Sequence, residues 1–481
     1  MEQTAAATCV RFALSRGFRN FAPDAPPAGT HLTVMRLNKE ILRLTIPAII
    51  SNITMPLLGL CDTTVAGHLG SEAFIGAVAV GTMMQNVVFW MFGFLRMGTT
   101  GMTAQCYGAD DMDGCRRILW RTLTVGLTVG LLILLLRPAL RELLLMLIGP
   151  QGEVRSLASA YFDICIWGAP AMLVTMSLQG WLLGMQTTLL PMTVTVTVNV
   201  LNIGLSLLFV YFGGMGFPGV AYGTLAATCC GVPLAVFAAM RRMSGKSLRT
   251  PLREVFAPDG LLRFLRVNSD IFLRSACIIG VSMTVTAIGA RLGAMTLATN
   301  AVMIQFFVFF SYCMDGFAFT GEALCGRFAG GHDLTMLRRS VRRLLMWSAA
   351  MALLFTTVYA LFYGEIISFI TNDQAVIDTI RHYRGWIFAI PVLSVMAFIY
   401  DGFFIGMTAT RRMLVVTAIA SAIFMTVSFV HFRDGGICIG LPENNVLWAA
   451  FMSYLLARGS LLAVQSRTVM RHAALGGNKQ P

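Results

Sequence analysis

The chain of 481 residues is 56% hydrophobic and only 12% charged, with a formal net charge of +13. So few charges cannot cover the surface of a soluble protein of this size, which excludes soluble enzymes and nucleic-acid-binding modules. What remains is a protein that crosses a membrane many times.

In chain order, residues 1–34 carry Arg11, Arg16 and Arg19 ahead of Pro23, Pro26 and Pro27, without the apolar core of a signal peptide. They are expected to form a disordered tail, and Met35, followed by Arg36, Lys39 and Arg43, reads well as the physiological start. Apolar runs of about 20 residues, enough to cross a hydrocarbon core as helix, then recur. They lie near 41–66, 76–106, 119–147, 157–184, 190–212, 217–240, 264–290, 296–325, 344–370, 384–407, 413–432 and 446–466. A transmembrane barrel would need alternating strands throughout, and only Thr193, Thr195, Thr197 and Asn199 alternate that way.

The basic excess reports topology. With the N-terminus inside, Arg137, Arg141, Arg155, Arg291, Arg381, Arg384 and Arg433 fall on the outer side and Arg96 and Arg274 within spans. All other basic residues fall in the tails, the even-numbered loops and their flanking helix ends, so both termini are expected in the cytoplasm. The cysteines sit mostly in apolar segments, as Cys61, Cys229, Cys230, Cys277 and Cys313 do, and behave there as small hydrophobes. No Cys or His spacing suggests a disulfide framework or a metal centre.

The two halves repeat. A shift of 223 residues aligns Leu69-Gly70 with Leu292-Gly293, Gly93-Phe94 with Gly316-Phe317, and Gly98 with Gly321, and continues to Gly108 with Gly331 and Arg116 with Arg339. A shift of 222 aligns Tyr161 with Tyr383, Gly180 with Gly402, and Gly184-Met185 with Gly406-Met407. A six-helix unit was duplicated. Each unit has an even number of spans, so the expected fold is all-α: twelve transmembrane helices in two six-helix bundles, related by a pseudo-twofold axis along the membrane normal. The expected divisions are 1–34 tail, 35–240 N-lobe, 241–260 cytoplasmic linker, 261–468 C-lobe and 469–481 tail. This is the plan of alternating-access carriers, with substrate bound near mid-membrane.

The first span stands out because it carries Pro47, Pro56 and a single acid, Asp62. A carboxylate inside a membrane span is costly and is neutralised, paired or facing water. The 223 shift places Val285 opposite Asp62, so the acid departs from the repeat. Desolvation favours the protonated acid and an approaching cation the ionised one, so proton and cationic substrate can compete for one group. The plainer reading is a carboxylate held by a structural hydrogen bond. Pro47 and Pro56 each remove a backbone hydrogen bond and permit a bend, although prolines are common in membrane helices.

Asn199, Asn202 and Ser206 repeat at three and four residues, forming one polar stripe on the fifth span, and Thr224 on the sixth could face it. With Asp62 they make a small polar pocket, or else they join helices by hydrogen bonds. The remaining intramembrane charges, Arg96, Arg274, Asp315, Glu322 and Asp401, are read as a structural ion network in which Arg274 neutralises Asp315 or Glu322. Asp163 is expected at an outer interface. Thirty methionines suit a cavity for varied apolar ligands, or act as packing filler.

Ile46-Pro47, Asp62-Thr63 with Val65-Ala66-Gly67-His68-Leu69-Gly70, and Phe94-Leu95-Arg96-Met97-Gly98-Thr99-Thr100-Gly101 resemble the multidrug and toxic compound extrusion (MATE) family. The last motif, with Asp315-Gly316-Phe317-Ala318-Phe319 and Glu322-Ala323-Leu324, resembles its DinF branch. The resemblance runs from about Met35 to the end of the last span. It implies a V-shaped pair of six-helix bundles that exports cationic or amphipathic small molecules, driven by inward proton or sodium flow. It also implies that Asp62 matches the first-helix acid, Pro47 the bending proline, Asn202 the fifth-helix asparagine and Thr224 the sixth-helix threonine. Where many relatives have Asp four residues after that asparagine, this chain has Ser206, which favours protons over sodium. The second-lobe acid of the NorM branch has no match, and Asp401 is out of its register. The expectation is a monomeric, proton-coupled drug exporter of the bacterial inner membrane, without cofactor or nucleic-acid partner. Rivals are a flippase or exporter of a lipid, lipid-linked glycan or metabolite, a membrane-embedded enzyme, and a receptor.

Overall fold

The computed structural model describes residues 30–69, 71–243, 250–434 and 443–474. The first half of the chain forms α1 (Thr30–Gly67), α2 (Glu72–Met91), α3 (Phe94–Gly108), α4 (Met112–Leu135), α5 (Arg137–Ile148), α6 (Gly152–Cys165), α7 (Ala169–Gly184), α8 (Leu189–Leu207) and α9 (Phe217–Met243). After the four-residue α10 (Leu252–Val255) come α11 (Pro258–Arg291), α12 (Ala294–Gly330), α13 (Leu334–Ile370), α14 (Gln374–Gly406), α15 (Thr410–Asp434) and α16 (Glu443–Ala474). Among the described residues there is no strand.

The chain is an all-helical membrane protein with twelve transmembrane helices. Among the described residues eleven spans are long and apolar enough to cross a bilayer, two of them formed by the pairs α2–α3 and α6–α7. The twelfth is α1, whose 38 residues at about 1.5 Å each exceed a hydrocarbon core of about 30 Å. It begins at Thr30, ahead of Met35, and the tail before it lies outside the described residues, as do 244–249 of the linker and 475–481. The third span is shorter than the hydropathy suggests: it stops at Leu135, and the rest of the apolar run becomes α5. Pro138, in the first turn of α5, cannot donate into a continuous helix.

Two compact units divide the chain, Ile46–Phe272 and the parts flanking it, up to Thr45 and from Leu273 onward. Each boundary falls inside a helix, α1 and α11. The first part of α1 packs in the flanking unit, where Glu40 meets Arg327 through two contacts of 2.6 and 3.0 Å and Thr45 shares a 2.8 Å hydrogen bond with Thr320. The first part of α11 packs in the central unit, where the Phe272 and Phe94 rings stand edge-on at 5.9 Å and Asn268 presses against Gly98. Thr45 against Thr320 in one unit and Asn268 against Gly98 in the other are repeat counterparts.

The structure also corrects the register of the repeat in α3 and α4. Left-handed backbone occurs at Asp110 and His332, and again at Gln186 and Thr408, each pair 222 residues apart. Asp111 caps α4 by accepting from Gly114 N, and Asp333 caps α13 by accepting from Met336 N, again 222 apart. Helix contacts agree. A methyl group on Gly180 would meet the carbonyl of Arg96 at 2.4 Å, and one on Gly402 that of Ala318 at 2.3 Å. Gly108 therefore pairs with Gly330 and Arg116 with Arg338. The doublets Gly330-Gly331 and Arg338-Arg339 let residue identity slip by one, whereas caps and close backbone contacts cannot.

Candidate functional site

Asp62 lies in the last turns of α1, within the central unit, and is 5% exposed. Its Oδ1 is buried and accepts no hydrogen bond. Among the described residues no Lys, Arg or His forms an ion pair with it. The structural hydrogen bond that would have made it an ordinary buried acid is missing on that oxygen.

Across from α1, Asn202 on α8 donates from Nδ2 to Thr224 Oγ1 on α9 at 3.1 Å, and the Thr224 hydroxyl donates to Val220 O at 3.1 Å. Because the single proton of Thr224 is used there, Asn202 must turn its N–H to Thr224 and leave its carbonyl outward. That Oδ1 is also buried without a donor. Tyr161 on α6 joins the two sides: its hydroxyl is within hydrogen-bond reach of Thr224 and of Thr82 on α2, and Asp62 acts on it electrostatically. Asp62, Tyr161, Asn202 and Thr224 thus form one polar cluster, set in a layer of Val65, Ala77, Val78, Cys165, Val220 and Ala221. Two buried acceptors without donors call for a proton, a water or the N–H of a ligand.

The stripe on α8 divides. Asn199 donates to Thr54 Oγ1 at 2.9 Å, eight residues and so about 12 Å before Asp62 along α1. Ser206 is fully buried and bonds Val220 O at 3.5 Å. A methyl group on Gly223 would lie 2.6 Å from the Ser206 Cα, so α8 and α9 touch backbone to backbone there. Ser206 therefore sits at a helix crossing. Immediately beyond it the backbone widens into a π-helical turn, Leu208–Phe212, a feature found often at functional sites. Pro47 is buried and lies two residues past the unit boundary, Pro56 is exposed, and α1 continues through both.

Of the intramembrane charges, Arg274 bonds Asp401 Oδ2, and Arg458 donates to the same oxygen at 2.9 Å; all three side chains are buried. Arg458 also reaches the Tyr454 hydroxyl at 3.3 Å and lies within electrostatic reach of Asp315. Arg274 thus binds Asp401, where the sequence pattern suggested Asp315 or Glu322. Glu322 is buried in the same flanking unit, whereas Arg96 belongs to the central one. Asp163 is held by Arg141 at 2.6 Å and by Arg137 at 3.6 Å.

A family model described as MatE matches residues 47–208 and 271–430, one stretch in each half of the repeat and over half of the chain. The chain belongs to the MatE family. It is 36% identical over 433 residues to DNA damage-inducible protein F of Escherichia coli, covering 89% of this chain and 91% of that one. It is 27% identical over 234 residues to the probable multidrug resistance protein NorM of Thermotoga maritima, covering 47% and 48%. Among solved structures, a MATE protein in the bent conformation superposes with a TM-score of 0.79 at 19% identity, covering 94% of this chain and 99% of the other. An outward-facing multidrug resistance MATE transporter gives 0.76 at 20% identity, covering 94% and 99%. These likenesses carry the fold. This MatE protein is a DinF-like multi-pass transporter of small molecules and not an enzyme.

Two residues of the MatE chain escaped the sequence pattern. Tyr161 is a lone polar tip in an apolar run and has no spacing signal. Arg458 lies close enough to the C-terminal basic residues to count with the cytoplasmic flank, yet it is buried on Asp401. A basic residue at the centre of the last apolar run was the signal available.

Proposed function

We propose that this MatE protein is a secondary antiporter of the bacterial inner membrane, with both termini cytoplasmic, that exports cationic or amphipathic drug-like compounds in exchange for protons by alternating access. One chain is the working unit. The observation that carries the reading is the pair of donor-less buried oxygens, Asp62 Oδ1 and Asn202 Oδ1, in one cluster that lacks a basic partner. A proton on Asp62 satisfies the cluster in one state, and a cationic N–H does so in the other. Asn202 and Thr224 fix the acceptor geometry, Tyr161 closes the cluster, Ser206 sets the helix spacing, and Asn199 ties α8 to α1 below. Pro47, beside the unit boundary, is the natural bending point. A single carboxylate in the cluster suits a proton better than sodium. The multidrug label on the Thermotoga maritima relative supports the substrate class. A lipid or glycan flippase would need available guanidinium groups, and Arg274 is engaged by Asp401.

The test is efflux of a fluorescent cation from proteoliposomes under a proton gradient and, separately, a sodium gradient. Wild type is expected to respond to the proton gradient alone and Asp62→Asn to neither. Equal transport by both proteins would overturn the role of Asp62, and sodium-driven transport would overturn the coupling ion.

A further inference from the structure

We infer that the first turns of α13 bind the anionic phosphate headgroups of membrane phospholipids. Arg338, Arg339, Arg342 and Arg343 follow the Asp333 cap within three turns. At about 100° per residue they occupy a sector of about 140° on one side of the helix. The opposite side carries the buried Leu337, Ser340, Val341 and Leu344; Arg338 and Arg342 are exposed, and Arg339 and Arg343 are half-buried. The same sector continues as Met346, Leu353, Leu354 and Leu361, all large, apolar and exposed, the surface a membrane helix shows to lipid tails. The arginines therefore stand where the lipid-facing stripe of α13 begins, at headgroup level.

The repeat supplies an internal control. At the corrected register Arg338, Arg339, Arg342 and Arg343 correspond to Arg116, Arg117, Trp120 and Arg121 of α4. There the protein neutralises them. Arg116 pairs with Asp113, Arg117 with Asp111 at 3.4 Å and Glu254 at 3.5 Å, and Arg121 donates to the carbonyls of Glu254 and Val255. In the second copy Thr335 stands at the place of Asp113, and Gly476 at that of Glu254. Among the described residues none of the four arginines of α13 forms an ion pair. Four cations within three turns of one helix also repel one another, so the arrangement asks for an anion from outside. The N-terminal tail does not fit, because residues 1–29 hold Arg11, Arg16 and Arg19 against Glu2 and Asp24. Lipid phosphate fits in charge, depth and direction.

The test is native mass spectrometry of the full chain in micelles doped with phosphatidylglycerol or phosphatidylcholine, with melting temperature read in parallel. Wild type is expected to retain phosphatidylglycerol preferentially. Replacing the four arginines by glutamine weakens that preference by about fivefold per residue, replacing them by lysine keeps it, and Arg116→Gln with Arg117→Gln keeps it. An unchanged preference in the glutamine variant, or none in wild type, would overturn the site. Should the glutamine variant fail to fold, wild type in about 1 M salt, where the Debye length is about 3 Å, must lose the preference. Stabilisation by inorganic phosphate equal to that by phosphatidylglycerol would assign the site to a soluble anion instead.

Discussion

Asn202 gives its side-chain N–H to Thr224 across 3.1 Å, and this one contact decides which way its carbonyl points. Thr224→Val keeps the shape and removes the oxygen. The Asn202 amide then loses its acceptor, which costs about 1–3 kcal/mol, and nothing fixes the direction of its carbonyl any longer. The expected result is a lower melting temperature together with loss of cation efflux, and recovery of both in Thr224→Ser. Efflux at the wild-type rate in Thr224→Val would show that the carbonyl direction is irrelevant.

Gly223→Ala tests the crossing of α8 and α9. Its methyl group would fall 2.4 Å from Ser206 Oγ and 2.6 Å from the Ser206 Cα and N, and backbone atoms cannot step aside. Overpacking of this kind costs about 1–3 kcal/mol. Gly204, in α8 two residues past Asn202, has nothing within 4 Å of its added methyl group. Gly204→Ala should leave stability unchanged or raise it by up to about 1 kcal/mol. Thermal melts of the two variants in the same detergent give the comparison, and equal behaviour would mean the helices do not meet at Ser206.

Tyr161→Phe removes only a hydroxyl, since the ring keeps its place 6.3 Å from Phe217. A hydrogen bond is worth about 1 kcal/mol, so the loss of the contacts to Thr224 and Thr82 should still let the variant fold. Its efflux should fall several-fold if the hydroxyl, which bonds Thr224 and lies in the field of Asp62, takes part in the cluster. A variant with unchanged efflux would reduce Tyr161 to a packing residue.

Much of this was legible from residue order because membrane helices are written in long apolar runs, and because an acid inside one is too costly to be accidental. Asp62, Asn202 and Thr224 came out of that reasoning together; in the structure Asn202 bonds Thr224, and Asp62 is a buried acid that acts electrostatically on Tyr161, the neighbour of Thr224. Helical spacing could not show that Asn199 serves Thr54, since a stripe on one helix says nothing about the height of its partners on another. Nor could it find Tyr161, whose relevance depends on α6 lying beside α1 and α9. Arg458 was hidden by its nearness in sequence to cytoplasmic arginines, and the register of the repeat by paired glycines and arginines.

The Arg274–Asp401–Arg458 group yields an ordering of stabilities. One Asp401 oxygen serves two guanidinium groups, so the three substitutions are not equivalent. Arg458→Met leaves a one-to-one pair between Arg274 and Asp401, and methionine fills most of the volume beside Tyr454. Asp401→Leu instead leaves two buried cations facing each other, with Asp315 as an acid within reach of Arg458. Stranding buried charge costs about 3–5 kcal/mol, whereas exchanging a paired one for an apolar side chain can be neutral. Asp401→Leu should therefore be far less stable than Arg458→Met, with Arg274→Met near the latter. Denaturation in mild detergent should recover that order. If Arg458→Met were the more damaging change, the Arg458–Asp401 contact between α16 and α14, rather than the Arg274–Asp401 pair, would carry the stability of the group.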